Sequence, residues 1–228
     1  MIDFINIHTH RSSPEENILE IVNQYPEAFD GSVPNFSIGI HPWYIDENRI
    51  EENLTVIESK LQLVNCLAIG ECGLDKRIEK PMDLQAEVLG LQLALAEKYR
   101  KPAIIHCVAA FQEIIEVRKK MEISVPMVIH GFSKNAQTAK QLLDNGFYLS
   151  FGKYLLKNPE LESVFNSVPN DRFFLETDTI EENISDVYAL AAKYKNLQIS
   201  ELQQQIEQNF KTVFGFGQRP DSLPKFRD

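Results

Sequence analysis

Eight short apolar runs, rich in β-branched and aromatic residues, recur along this chain, and their spacing constrains the fold more than any other feature. They are FINIHTH (4–10), ILEIVNQ (18–24), NFSIGIHP (35–42), NCLAIGECG (65–73), PAIIHCV (102–108), PMVIHGF (126–132), FYLSFG (147–152) and RFFLETD (172–178). Most are continuous rather than alternating, as expected of strands buried on both faces of a parallel sheet. Between them lie stretches with apolar residues at helical spacing. The longest carries Leu84, Val88, Leu91 and Leu95, and another carries Ala136, Ala139, Leu142 and Leu143 ahead of a helix-stopping Asn145-Gly146. Strands alternating with helices build right-handed βαβ units. Eight such strands in 228 residues predict an α/β fold, a compact (β/α)8 TIM-type barrel. From His10 to Phe36 there is little room for helices around the second strand, so the first two helices are expected to be missing or vestigial. Ser200, Leu202, Ile206, Phe210 and Val213 predict a final packed helix that stops at Gly215. No repeat, low-complexity tract or linker marks a boundary, so residues 1–228 read as one barrel domain.

Composition narrows the function classes. With 23 Lys+Arg against 33 Asp+Glu, the formal charge is −10, which argues against a broad basic surface for duplex nucleic acid. A local site carrying its own cations remains open. No apolar stretch approaches the roughly 18 residues of a membrane span, and Met1-Ile2-Asp3-Phe4 lacks the basic start of a signal peptide. A cytoplasmic protein with no membrane partner is expected. Cys66, Cys72 and Cys107 are odd in number and form no C-x-x-C pair, which excludes a disulfide scaffold.

The five histidines do not scatter. His8 and His10 lie in the first run, and His41, His106 and His130 each lie in or at the end of another. Alternate residues of a strand share a face, so His8 and His10 project together while Thr9 points away. Glu71, His106, His130 and Asp178 all fall toward C-terminal strand ends, where the active sites of barrels form. A carboxylate there demands a partner, because an unpaired buried charge costs several kcal/mol. Imidazoles and carboxylates together suit Zn, Mn, Mg or Fe, and this set is large enough for two ions bridged by one carboxylate.

With these motifs in order, the sequence resembles the TatD-type metal-dependent hydrolases, whose characterised members are deoxyribonucleases within the amidohydrolase-like barrel superfamily. The resemblance is carried by H-T-H at 8–10, G-I-H-P at 39–42, I-G-E-C-G-L-D at 69–75, Gln85 with the helix that follows, P-A-I-I-H at 102–106, H-G-F at 130–132 and L-E-T-D at 175–178. It implies two divalent ions (Mg, Mn or Zn): His8, His10 and Asp178 hold one, Glu71 bridges, and His106 and His130 hold the other. It implies a metal-activated water as nucleophile, with Asp178 and Glu71 catalytic and Asp178 orienting and deprotonating that water. Where some amidohydrolase-like relatives bridge through a carbamylated lysine, this chain has Glu71. His41 is expected as a neighbour of the metals or a substrate contact rather than a ligand, and Glu176 as a group that positions a ligand histidine. Trp43 and Tyr44 stand at the rim, either to stack on a base or simply to cover the barrel mouth. Cys72 and Cys107 adjoin Glu71 and His106 and are expected to point away from the ions.

Two departures bear on the substrate. The family's arginine two residues after the fifth-strand histidine is replaced, since His106 is followed by Cys107-Val108. The usual Pro- and Arg-containing loop after L-E-T-D is replaced by Thr179-Ile180-Glu181-Glu182, and Lys134 and Lys153 are the cations placed to compensate. The expected activity is exonuclease-like cleavage of DNA, single strands or ends, by a phosphodiesterase. The alternatives are an amidohydrolase-like hydrolase of a small-molecule ester, amide or phosphoester, and a metal-binding interaction module without catalysis.

Overall fold

In the computed structural model, which describes residues 2–13 and 15–215, all eight expected strands form one parallel sheet. They are β1 (Phe4–Thr9), β2 (Ile18–Gln24), β3 (Phe36–Ile38), β4 (Cys66–Asp75), β5 (Ala103–Val108), β6 (Met127–Ile129), β7 (Tyr148–Phe151) and β8 (Phe173–Leu175), paired in chain order. The sheet curls until its ends nearly meet. Thr9 bridges Asp178 in parallel, His10 N–H donates to the Asp178 carbonyl at 3.0 Å, and Asp178 N–H donates to the His8 carbonyl at 3.0 Å. The (β/α)8 architecture is therefore as the alternating pattern requires.

The helices are α1 (Ile50–Leu61), α2 (Met82–Tyr99), α3 (Phe111–Lys120), α4 (Ala136–Asp144), α5 (Lys153–Lys157), α6 (Leu161–Ser167), α7 (Ile184–Lys195) and α8 (Ile199–Phe214). Among the described residues, no α-helix joins β1 to β2, and only the short 3-10 turn Pro26–Ala28 lies between β2 and β3. Both α7 and α8 pack on β1, and Phe214 of α8 meets Phe174 of β8 edge to face at 5.5 Å. The C-terminal helices thus cover part of the surface left bare by the two missing ones.

The buried strands behave as their composition dictates: β4 is buried at all ten positions. Several strands are shorter than their apolar runs. β3 ends at Ile38, β6 at Ile129 and β8 at Leu175, so His41, His130 and Asp178 stand in the segments leaving the barrel rather than within its ladder. The buried face of α2 also differs from the one its leucine spacing suggests. Leu91 is 42% exposed, and the buried face includes Gln85, Val88, Leu89, Gln92, Leu93 and Ala96. The two glutamines explain the shift, because each satisfies backbone groups that would otherwise be buried unpaired. Gln92 accepts from Ile40 N–H at 2.7 Å and donates to the Ile40 carbonyl at 3.2 Å, while Gln85 accepts from Asp75 N–H at 2.8 Å and donates to the Asp75 carbonyl at 3.1 Å. α2 thereby fixes the ends of β3 and β4 that carry the polar cluster.

Candidate metal centre

All five histidines converge at the C-terminal mouth of the barrel around the buried carboxylate of Glu71. Its two oxygens face different groups. Oε2 lies 3.4 Å from Nε2 of both His8 and His10, whose same nitrogens stand 3.8 and 3.5 Å from Asp178 Oδ1. Oε1 lies 2.9 Å from His106 Nδ1, 2.8 Å from His130 Nε2 and 3.1 Å from His41 Nε2. One carboxylate oxygen has too few lone pairs to accept well from three imidazoles at once.

The arrangement has local causes. His8 and His10 share a face of β1, with ring centroids 5.2 Å apart. Glu71 comes from inside β4, where its N–H donates to Asn23 Oδ1 of β2 at 2.7 Å. Two positions on, Gly73 pairs with His106 of β5, and a Cβ there would meet the His106 carbonyl oxygen at 1.9 Å. Only glycine lets β5 come this close and present His106 to Glu71. Asp178 takes a left-handed backbone conformation (φ 55°), held by its hydrogen bonds to β1.

Electrostatics favour a cation in this cluster. Burial alone would raise the Glu71 pKa, but the charge of His130 and hydrogen bonds from His10, His106 and His130 outweigh it and hold the group well below 4.5. Burial would likewise disfavour a charged His130, but the flanking Glu71 and Glu176 carboxylates hold its pKa well above 6.5. Both ring nitrogens of His8 are buried without a hydrogen-bond partner, a costly state for a polar group unless another species satisfies it. Two ligands each about 2.1 Å from one tetrahedral ion stand about 3.4 Å apart, close to the spacings among His8, His10, Glu71 and Asp178. The donor atoms fit a divalent ion there, and the sets His8–His10–Asp178, His8–Glu71–His130 and His41–Glu71–His106 are each compact enough to share one.

His41 differs from the other histidines, although its Nε2 lies as near Glu71 as theirs do. Its Nδ1 accepts from Trp43 N–H at 3.1 Å, and burial pushes its pKa down. The backbone bond leaves the proton on Nε2, where it is donated to Glu71 Oε1. In that tautomer His41 steadies the Glu71 carboxylate through Oε1. Glu176 accepts from Gly131 N–H at 2.8 Å through Oε1, which also faces His130 Nδ1 at 3.4 Å. It therefore sits behind His130.

Asp75, Tyr25 and Arg77 also belong to the site, and none of them was expected from the sequence motifs. Asp75 Oδ2 accepts from the Trp43 indole at 2.8 Å and faces His106 Nε2 at 3.3 Å, while Oδ1 accepts from Arg77 N–H at 2.8 Å. Its signal was present: Glu71, Gly73 and Asp75 alternate on one strand. The Tyr25 hydroxyl lies 3.4 Å from His10 Nδ1, and nothing local in the sequence marks it. Above the cluster opens a cavity of about 660 Å³ whose wall includes Trp43, Tyr44, Tyr154, Arg77, Lys134 and Lys153. Cys72 is fully buried and Cys107 partly so, and burial pushes both thiols up, Cys107 to about 12, so neither supplies a thiolate. Among the described residues, no helix is long and apolar enough to cross a membrane.

The chain is 36% identical over 147 residues to the uncharacterized metal-dependent hydrolase YabD of Bacillus subtilis, covering 62% of this chain and 57% of that protein. The chain thus spans less than two thirds of that relative's length. It is 30% identical over 168 residues to a putative deoxyribonuclease TATDN1 homolog of Vairimorpha ceranae, covering 72% of this chain and 58% of that one. The crystal structure of YjjV, a TatD homolog from Escherichia coli, superposes with a TM-score of 0.80 at 21% identity, covering 93% of this chain and 98% of the other. Residues 3–215 match the sequence profile described as TatD related DNase, and the chain belongs to that family.

Proposed function

We propose that this protein is a divalent-metal-dependent phosphodiesterase that shortens DNA from single-stranded ends. The observation that carries the reading is the Glu71 carboxylate, whose two oxygens face two separate histidine groups with Asp178 beside one of them. His8, His10 and Asp178 would hold one ion and His106 and His130 another, with Glu71 between them. Mg, Mn or Zn bound there supplies an acidified water and a counter-charge for the phosphoryl oxygens.

The chain's own groups do the rest. Asp178 is about a quarter exposed, the most accessible carboxylate of the cluster, and can take a proton from the attacking water. His41 steadies the Glu71 carboxylate through Oε1, and Asn23 Oδ1 fixes the Glu71 backbone by accepting from its N–H. Arg77, Lys134 and Lys153 in the cavity wall offer positive charge to a substrate phosphate in place of the arginine absent after His106. That substitution also favours a second reading, hydrolysis of an ester or amide in a small metabolite, because Val108 brings no charge to the strand end.

The test is hydrolysis of an end-labelled single-stranded DNA by metal-stripped protein with Mg, Mn or Zn restored, beside Glu71→Ala and Asp178→Ala. Stepwise shortening that needs metal and vanishes in both variants is expected. Two bound equivalents of metal with no cleavage would overturn the nuclease reading in favour of the small-molecule hydrolase. Failure to bind metal at all would leave neither.

A further inference from the structure

The exposed large aromatic residues among those described are Trp43, Tyr44 and Tyr154, at 52%, 55% and 45% exposure, and all three line the cavity over the metal centre. Chance placement on a barrel would scatter them. Trp43 differs from the two tyrosines in being held by its edge. Its indole N–H donates to Asp75 Oδ2 at 2.8 Å, its backbone N–H donates to His41 Nδ1 at 3.1 Å, and its ring meets that of His41 at 87°. A half-exposed ring with its polar edge fixed in place offers the cavity a rigid aromatic surface, which loses little entropy when something stacks on it.

Asp75 joins this ring to two other parts of the site. Oδ1 accepts from Arg77 N–H at 2.8 Å, which sets the start of the Arg77 loop beside the indole, and Oδ2 also faces His106 at 3.3 Å. Among the described residues neither Arg77 nor Lys134 belongs to an ion pair, although both line the same cavity. An aromatic surface with unpaired cations next to it matches a base with its phosphate.

We infer that Trp43 is the base-stacking platform for the terminal nucleotide of the substrate, with Asp75 locking its orientation and Arg77 taking the adjoining phosphate. The inference rests on the phosphodiesterase reading of the site, but its test is separable from it. Trp43 is the chain's one tryptophan, so intrinsic fluorescence reports on this ring alone.

Full-length protein with magnesium is titrated with a phosphorothioate-linked thymidine trinucleotide, and in parallel with 2-deoxyribose 5-phosphate, which has no base. Saturable quenching by the trinucleotide and none by the sugar phosphate is expected. A second measurement follows the ratio of kcat/KM for thymidine 5′-(p-nitrophenyl) phosphate over methyl p-nitrophenyl phosphate. Trp43→Ala should lower this ratio about tenfold, in line with the loss of one stacked base. Trp43→Phe, which keeps an aromatic face, should restore most of it. DNA cleavage without quenching would overturn the platform while leaving the nuclease standing. Quenching without cleavage would do the reverse. Equal quenching by both probes would assign the pocket to phosphate alone and overturn the role of Trp43.

Discussion

Glu176 does not line the cavity; it stands behind His130 and holds the strand-end turn through Gly131 N–H, the place from which a positioning role is proposed for it. Such partners orient ligand imidazoles and raise their basicity, and their loss costs about 10- to 100-fold in metal affinity. Glu176→Gln keeps an acceptor for Gly131 but loses the charge facing His130. Calorimetric titration with zinc should show affinity lower by that factor in a protein of unchanged circular dichroism, and unaltered affinity would remove Glu176 from the site. The histidines and the two carboxylates were legible in the sequence because a chain rarely closes its apolar strands with imidazoles and carboxylates unless something binds them. Asp75 was less visible, for its role depends on Trp43 reaching across from the 3-10 turn that follows β3. Tyr25 was invisible, since its link to His10 arises only from the pairing of β1 with β2.

Among the elements, α2 shows where hydrophobic periodicity misleads. Four leucines and valines at helical spacing suggested the buried face, but Gln85 and Gln92 occupy it because β3 and β4 end in backbone groups that need partners. Gln92→Leu would strand the N–H and carbonyl of Ile40, and at about 1–3 kcal/mol for an unsatisfied buried group thermal unfolding should show a clear loss of stability. Activity should fall as well, because His41 is the next residue. A Tm matching wild type would mean that water replaces the glutamine. At the far end of the same helix, Glu97 accepts from the backbone N–H groups of Ser124 and Val125 and from the Ser124 hydroxyl, holding the segment that leads into β6. Burial raises its pKa, but these bonds outweigh that and leave it below 4.5. A depressed carboxylate pKa stabilises the fold above the unfolded value and loses that contribution as pH falls through the folded one. Glu97→Ala should therefore cost about 1 kcal/mol near neutrality. The gap from wild type should narrow in urea melts taken progressively below pH 4.5, and a constant gap would contradict the assignment.

On the scale of the whole molecule, the eight-strand rhythm predicted the barrel because buried parallel strands leave a plain trace in composition. The lengths of β3, β6 and β8 were overread, since the apolar runs continue into the segments that carry His41, His130 and Asp178. A cation among otherwise repelling or unsatisfied groups should also stabilise the entire fold. An ion at about one hundred times its Kd adds about 2.7 kcal/mol, or about 5–10 °C in a protein of this size. Chelation should lower Tm by that amount and added zinc or manganese restore it, whereas identical melting curves would show that the donors do not hold an ion. The contact between Thr9 and Asp178 joins the first strand to the end of the last. A growing chain that has made five of the six expected ligands still lacks the sixth until residues near 178 arrive and the ring shuts. The complete donor set therefore exists only in a chain made past residue 178, whatever order its parts fold in.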